Sequence, residues 1–221
     1  MFLELVDSLR CVRSHEDTWL VALADELAER HVVEGALGCP VCKARYPVHQ
    51  GMVDFTVDVA RGASASIPGG AASAAGHREA LALRAAALLG LTEPGGIVVL
   101  AGEWSACADE LLEMVDGVQL LALDPVPELR SRGALSLARI PNVLPLAAAS
   151  MRGIALDAAH ATPSLLAGAA RALIPNGRLI APVSTLVPDS LRELARDDEQ
   201  WVAAAPPPSN VSAPVPIALR R

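Results

Sequence analysis

The chain has 221 residues, 52% hydrophobic but only 3% aromatic, so a large core must be built mainly from Ala, Leu, Val and Ile. A formal net charge of −7 argues against nucleic acid as a general ligand. No apolar run approaches the roughly 18 residues of a membrane span, and the acidic residues within MFLELVDSLR speak against a signal peptide, so a cytoplasmic protein is expected.

Apolar residues Phe2, Leu5, Val6 and Leu9 recur at helical spacing and predict a short helix over 2–10. Residues 19–24 and 31–37 read as strands, joined by a charged turn or extended tip at 25–30. Residues 46–55 read as a further extended pair, broken at Gly51. The stretch 61–76, RGASASIPGGAASAAG, has a linker composition. It divides the sequence into an expected domain at 1–60 and a second at 77–221.

The second part alternates helix and strand. Helices are predicted at 77–89, 107–115, 128–137, 164–173 and 188–196. Strands are predicted at 97–100, 118–123, 142–146, 154–158 and 178–181. Residues 200–204 and 216–220 are expected as a closing antiparallel pair around Pro206-Pro207-Pro208. Short strands apolar on both faces, interleaved with helices, indicate an α/β fold with a mostly parallel sheet covered on both sides.

Three of the four cysteines lie in the first 51 residues, where Cys11 precedes His15 by four positions and Cys39-Pro40-Val41-Cys42 forms a close pair. Three thiols and an imidazole in two close pairs have the composition of a structural zinc site, with Cys11, His15, Cys39 and Cys42 as ligands. His49, before Gly51, is the rival for the fourth position. Four protein ligands would leave no open position for water or substrate, so the metal is expected to support folding rather than catalysis.

The segment LELVDSLRC…CPVCKARYPVHQGMVDF resembles the small zinc-ribbon family whose eukaryotic member activates tRNA and release-factor methyltransferases. The resemblance covers residues 2–55. It departs from the family at the first knuckle, where Ser14 holds the usual second Cys position with His15 beside it. The resemblance implies a docking or dimerisation module.

The order of elements after residue 77 resembles a class I S-adenosylmethionine-dependent methyltransferase, a Rossmann-like fold. The better match is LLAGAARALIPNGRLI, which looks like that family's helix, turn and fifth strand. The resemblance implies cofactor contacts at Gly102 and at Asp124, the latter to the ribose. The first loop, VVLAGEWSA, departs from the family's acid followed by Gly-x-Gly. Only Gly102 remains, and Glu103 or Trp104 stands where a small residue would let the cofactor approach.

Other residues have plainer readings. Trp104 and Cys107 suit packing, and Asp124 before Pro125 is also an ordinary strand-ending turn residue. Asp157 and His160 flank the end of a strand where substrate groups often sit. The expectation is therefore a non-catalytic interaction or regulatory protein, a pseudoenzyme that acts through a protein partner or homodimer. The alternative is an active methyltransferase with an atypical cofactor loop.

Overall fold

A computed structural model of the chain describes residues 1–57 and 75–207. All eleven of its strands belong to a single sheet. The first four are β1 (Val21–Ala28), β2 (His31–Gly38), β3 (Arg45–His49) and β4 (Met52–Asp54), each antiparallel to the one before. The two-residue turns that join β1 to β2 and β3 to β4 take left-handed backbone, at Glu29 and Arg30 and at Gln50 and Gly51.

The remaining strands are β5 (Ile97–Ala101), β6 (Gln119–Leu123), β7 (Leu135–Arg139), β8 (Met151–Ala155), β9 (Leu173–Pro182), β10 (Arg192–Arg196) and β11 (Gln200–Ala204). The sheet order is β1-β2-β3-β4-β7-β6-β5-β8-β9-β11-β10. From β4 to β9 every pairing is parallel, and β11 and β10 close the far side antiparallel. The chain order therefore reverses between β5 and β8. This is the doubly wound, Rossmann-like arrangement, with its topological switch point at the carboxyl ends of those strands.

Residues in β5 and β6 alternate between the two faces of the sheet. Val99, Ala101, Leu121 and Leu123 belong to one core, and Val98, Leu100, Leu120 and Ala122 to the other. Helices α2 (Ala75–Leu89) and α3 (Ala108–Met114) cover the second face through Ala82, Ala85, Leu89 and Leu111. Helix α4 (Pro163–Ala172) covers part of the first through Leu165, Leu166 and Ala169. It opens on Thr162, whose side chain accepts from the Leu165 N–H, with Pro163 in its first turn. The rest of that face is covered by the N-terminal segment, as Met1, Leu5, Val6, Leu9, Tyr46 and Phe55 share a core with Leu121, Leu123 and Ala138.

Several predicted elements differ. The helix expected over 2–10 is a single turn, α1 (Leu3–Val6), because Leu9 and Arg10 bridge instead to Leu146 and Trp19. No helix forms over 128–137. Pro125 and Pro127 precede it, Gly133 has φ +49, and Leu135 onward is needed as β7 between β6 and β4. The strand expected over 142–146 is irregular between Pro141 and Pro145, because proline cannot donate to a ladder. The strand expected at 154–158 begins earlier, as β8. In place of the last helix, a turn closed by Leu191 N–H to the Pro188 carbonyl leads into β10. The helix expected at 107–115 is α3, preceded by a 3₁₀ segment, Gly102–Cys107. The predicted linker, except its last two residues, and the predicted strand at 216–220 lie outside the described residues.

The N-terminal strands and the parallel sheet meet through the β4–β7 pairing, Met52–Asp54 against Leu137–Arg139. Phe55 continues it by donating its N–H to the Arg139 carbonyl, and its ring packs on Tyr46 with centroids 4.8 Å apart. Phe55→Ala should cost about 3–5 kcal/mol. Because the core is shared, the loss should appear in the denaturant midpoint reported by the distant, fully buried Trp201. An unchanged Trp201 transition would show that the two parts unfold separately.

Candidate metal centre and cofactor crevice

Cys11 directly follows Arg10, inside the loop that the Arg10–Trp19 bridge closes, and Cys39 and Cys42 sit on the turn that joins β2 to β3. That turn is closed by Cys39 N–H to the Ala44 carbonyl and Lys43 N–H to the Cys39 carbonyl, with Lys43 in left-handed backbone. The ligand atoms of Cys11, His15, Cys39 and Cys42 all lie within 4.8 Å of one another. Cys11 Sγ is 3.7 Å from Cys42 Sγ, and His15 Nε2 is 3.1 Å from Cys11 Sγ and 3.5 Å from Cys39 Sγ. A tetrahedral zinc with thiolate bonds of about 2.3 Å would separate its sulfurs by about 3.8 Å.

The surroundings suit a cation. His15 Nδ1 lies 2.7 Å from the Glu16 carbonyl, which fixes Nδ1 as the protonated nitrogen and leaves the Nε2 lone pair facing the thiols. Burial pushes the Cys42 thiol up, but the Ala44 N–H and its Cys39, Cys11 and His15 neighbours outweigh that and bring it down to about 7. Tyr46, buried behind the cluster, places its hydroxyl 3.0 Å from Cys11 Sγ. The sequence signal for Tyr46 was confined to its place beside Pro47. His49 lies elsewhere, exposed on β3 with Nδ1 2.8 Å from Glu34 Oε2.

The second candidate site is the switch point. Gly102 directly follows β5, with φ +56. The space its missing side chain leaves open is taken by the Asp157 carboxylate, with which a Cβ at this position would collide. Asp157 Oδ2 accepts from the Glu103 N–H at 3.0 Å. Asp157 Oδ1 accepts from the His160 N–H at 3.0 Å and meets His160 Nδ1 at 2.6 Å. The other ring nitrogen, Nε2, is 3.1 Å from Asp124 Oδ2 at the end of β6. Asp124, itself at φ +44, also accepts from the Ile140 N–H at 3.3 Å.

One buried imidazole thus bridges two carboxylates across the crevice. Burial lowers the pKa of His160, but its hydrogen bonds to Asp124 and Asp157 and their charges raise it to about 9. It is an imidazolium at neutral pH. Burial works against the Asp157 charge, and the His160 and Glu103 contacts overcome it and hold the acid below its ordinary range. Ser105 completes the wall, donating to the Gly102 carbonyl at 2.6 Å and accepting from the Val126 N–H at 3.0 Å. Trp104 is buried with the sheet core, as expected of a packing residue.

The residues present do not fit S-adenosylmethionine in this geometry. The glycine opening is filled by the Asp157 carboxylate, and the Asp124 carboxylate already faces His160. The sequence brought Asp157 and His160 to notice as neighbours, but nothing in it tied His160 to Asp124.

No family model matches the chain, and no curated protein does. Among solved structures it is similar to a chain of the complex between the Haloferax volcanii Trm112 methyltransferase activator and a methyltransferase, at 25% identity and TM-score 0.36, over 49% of this chain and 57% of that one. It is similar to a Galdieria sulphuraria structure named for a sarcosine dimethylglycine methyltransferase, at 19% and 0.37, over 48% and 45%. It is also similar to the N-methyltransferase NodS of Bradyrhizobium japonicum, at 15% and 0.42, over 57% and 84%. The chain spans about half the length of the first two. No helix among the described residues is long and apolar enough to cross a membrane.

The His160 pair has a defined pH signature. Its folded pKa of about 9 lies above the ordinary 6.5, so its stabilisation is complete below about pH 6.5 and is lost as pH rises through 9. His160→Gln should cost about 3 kcal/mol at pH 6 and flatten the stability profile between those limits. Denaturant unfolding across pH, with NMR titration of the imidazole, checks both.

Proposed function

We propose that this chain is a non-catalytic interaction or regulatory protein, in which a zinc-stapled ribbon is docked on a methyltransferase-like sheet that no longer takes the cofactor. The observation that carries this reading is the His160 bridge between Asp124 and Asp157 over Gly102. Both carboxylates at the switch point are committed to an internal cation, and a ligand would have to break that pair. Glu103 or Trp104 stands where the loop of the family it resembles has a second small residue, which agrees with the same reading.

Zinc fits the donor set of Cys11, His15, Cys39 and Cys42. When bound it supplies a four-way cross-link with no open coordination position. Cys39 and Cys42 tie down the β2–β3 turn, Cys11 and His15 tie the N-terminal loop to it, and Tyr46 supports Cys11 from behind. In the family that residues 2–55 resemble, the ribbon associates with methyltransferases. Here β4 of the ribbon pairs with β7 of its own chain, so the ribbon serves as an internal cover and leaves its hairpin free for partners.

Thermal denaturation with S-adenosylmethionine tests the reading. A site at about 100 times its dissociation constant gains roughly 2.7 kcal/mol. No shift is expected at millimolar cofactor, and a clear upward shift would move the chain to the active-methyltransferase alternative. For the metal, elemental analysis should find one zinc per chain, lost in His15→Ala and kept in His49→Ala. Full zinc in the His15 variant would remove His15 from the ligand set.

A further inference from the structure

The metal centre has two unequal halves. Cys39 and Cys42 share one tight turn between β2 and β3, closed by backbone hydrogen bonds. Cys11 and His15 come from the loop before β1. A metal site is precise only when its ligands are themselves held in place by neighbours. For Cys11 that neighbour is Tyr46, the single tyrosine of the chain. Tyr46 lies on β3 opposite Leu37 of β2 and is fully buried. Its hydroxyl reaches across 35 positions of sequence to lie 3.0 Å from Cys11 Sγ.

The partners of the hydroxyl fix the direction of its proton. The Val12 backbone N–H donates to the Tyr46 oxygen, which leaves the phenolic proton to point at Cys11. A buried hydroxyl needs an acceptor, and a metal-bound thiolate is a strong one. Three thiolates and a neutral imidazole give a zinc site a net charge of about −1, which donors to sulfur disperse. Cys42 receives the Ala44 N–H, and Cys11 receives the Arg13 N–H. Tyr46 gives Cys11 a second donor.

The ring of Tyr46 faces the other way. It packs on Phe55, whose N–H donates to the Arg139 carbonyl of β7. One side chain therefore touches both a metal ligand and the junction of β4 with β7. We infer that Tyr46 is a positioning residue of the metal centre. Its O–H donates to Cys11 Sγ when that sulfur is zinc-bound, which orients the looser half of the site and ties metal retention to the junction. This rests on the zinc reading given above.

Cobalt(II) exchanged for zinc in the full chain tests it, because sulfur-to-cobalt charge-transfer absorption reports on the thiolates directly. Tyr46→Phe keeps the ring and removes the donor. It should hold zinc about 10–100-fold more weakly against a chromophoric chelator. Its charge-transfer band should also move to longer wavelength, since a sulfur without the donor gives up its electrons more easily. Ring-fluorinated tyrosine, fed in place of tyrosine, labels this one position and donates more strongly. It should move the band to shorter wavelength. Phe55→Leu leaves the hydroxyl in place and should weaken zinc binding several-fold. A wild-type chain without the band overturns the zinc reading itself. A wild-type band that neither tyrosine change moves, with zinc affinity intact, overturns the role of Tyr46 and leaves zinc in its site. Zinc affinity untouched by Phe55→Leu overturns the tie to the junction.

Discussion

A parallel sheet buries both faces, and each face needs something laid over it. That requirement governs how this chain is built. One face receives α2 and α3. The other receives α4 over β8 and β9, but between β6 and β7 no crossover helix exists to complete the cover. Residues 1–9 and the strands that follow occupy the gap, and Met1, Leu5 and Leu9 are buried as deeply as Leu121 and Leu123. The β4–β7 pairing sets the register of this arrangement, and Phe2 N–H to Ser136 Oγ at 2.9 Å holds its near end. The N-terminal strands are structural to the sheet before they are anything else.

The same sheet brings three acidic or basic groups together at its carboxyl edge. In an open α/β protein that edge is where ligands bind, because the reversal of chain order leaves a crevice there. Here the crevice is spanned from within. An imidazolium between two carboxylates satisfies all three groups with short contacts, and Asp157 also binds two backbone N–H groups. A polar network so fully paired favours rigidity over ligand exchange.

Much of the sheet was legible because β5 is apolar throughout and β6 at every position but its first, Gln119, and each follows a glycine turn. The cysteine cluster was legible because thiols at close spacing have few other uses. The failures have common causes. Residues 128–137 have helical composition, but Pro127 precedes them and Gly133 interrupts them, and the place beside β6 had to be filled by a strand. Residues 188–196 carry no strong period of either kind, and pairing with β11 decided them. The link between His160 and Asp124 spans 36 residues and depends on two strand ends meeting, which no local pattern encodes.

The β4–β7 contact is three residues long. Between separate molecules, so short a ladder would hold poorly, since association must offset lost translational and rotational freedom. On one chain the encounter is intramolecular, and the effective concentration of one part near the other is on the order of millimolar. Covalent continuity thus lets a meagre contact act as a permanent one. It also means that a separate segment of the same kind would compete for β7 at a standing disadvantage, so this side of β7 is reserved for its own chain.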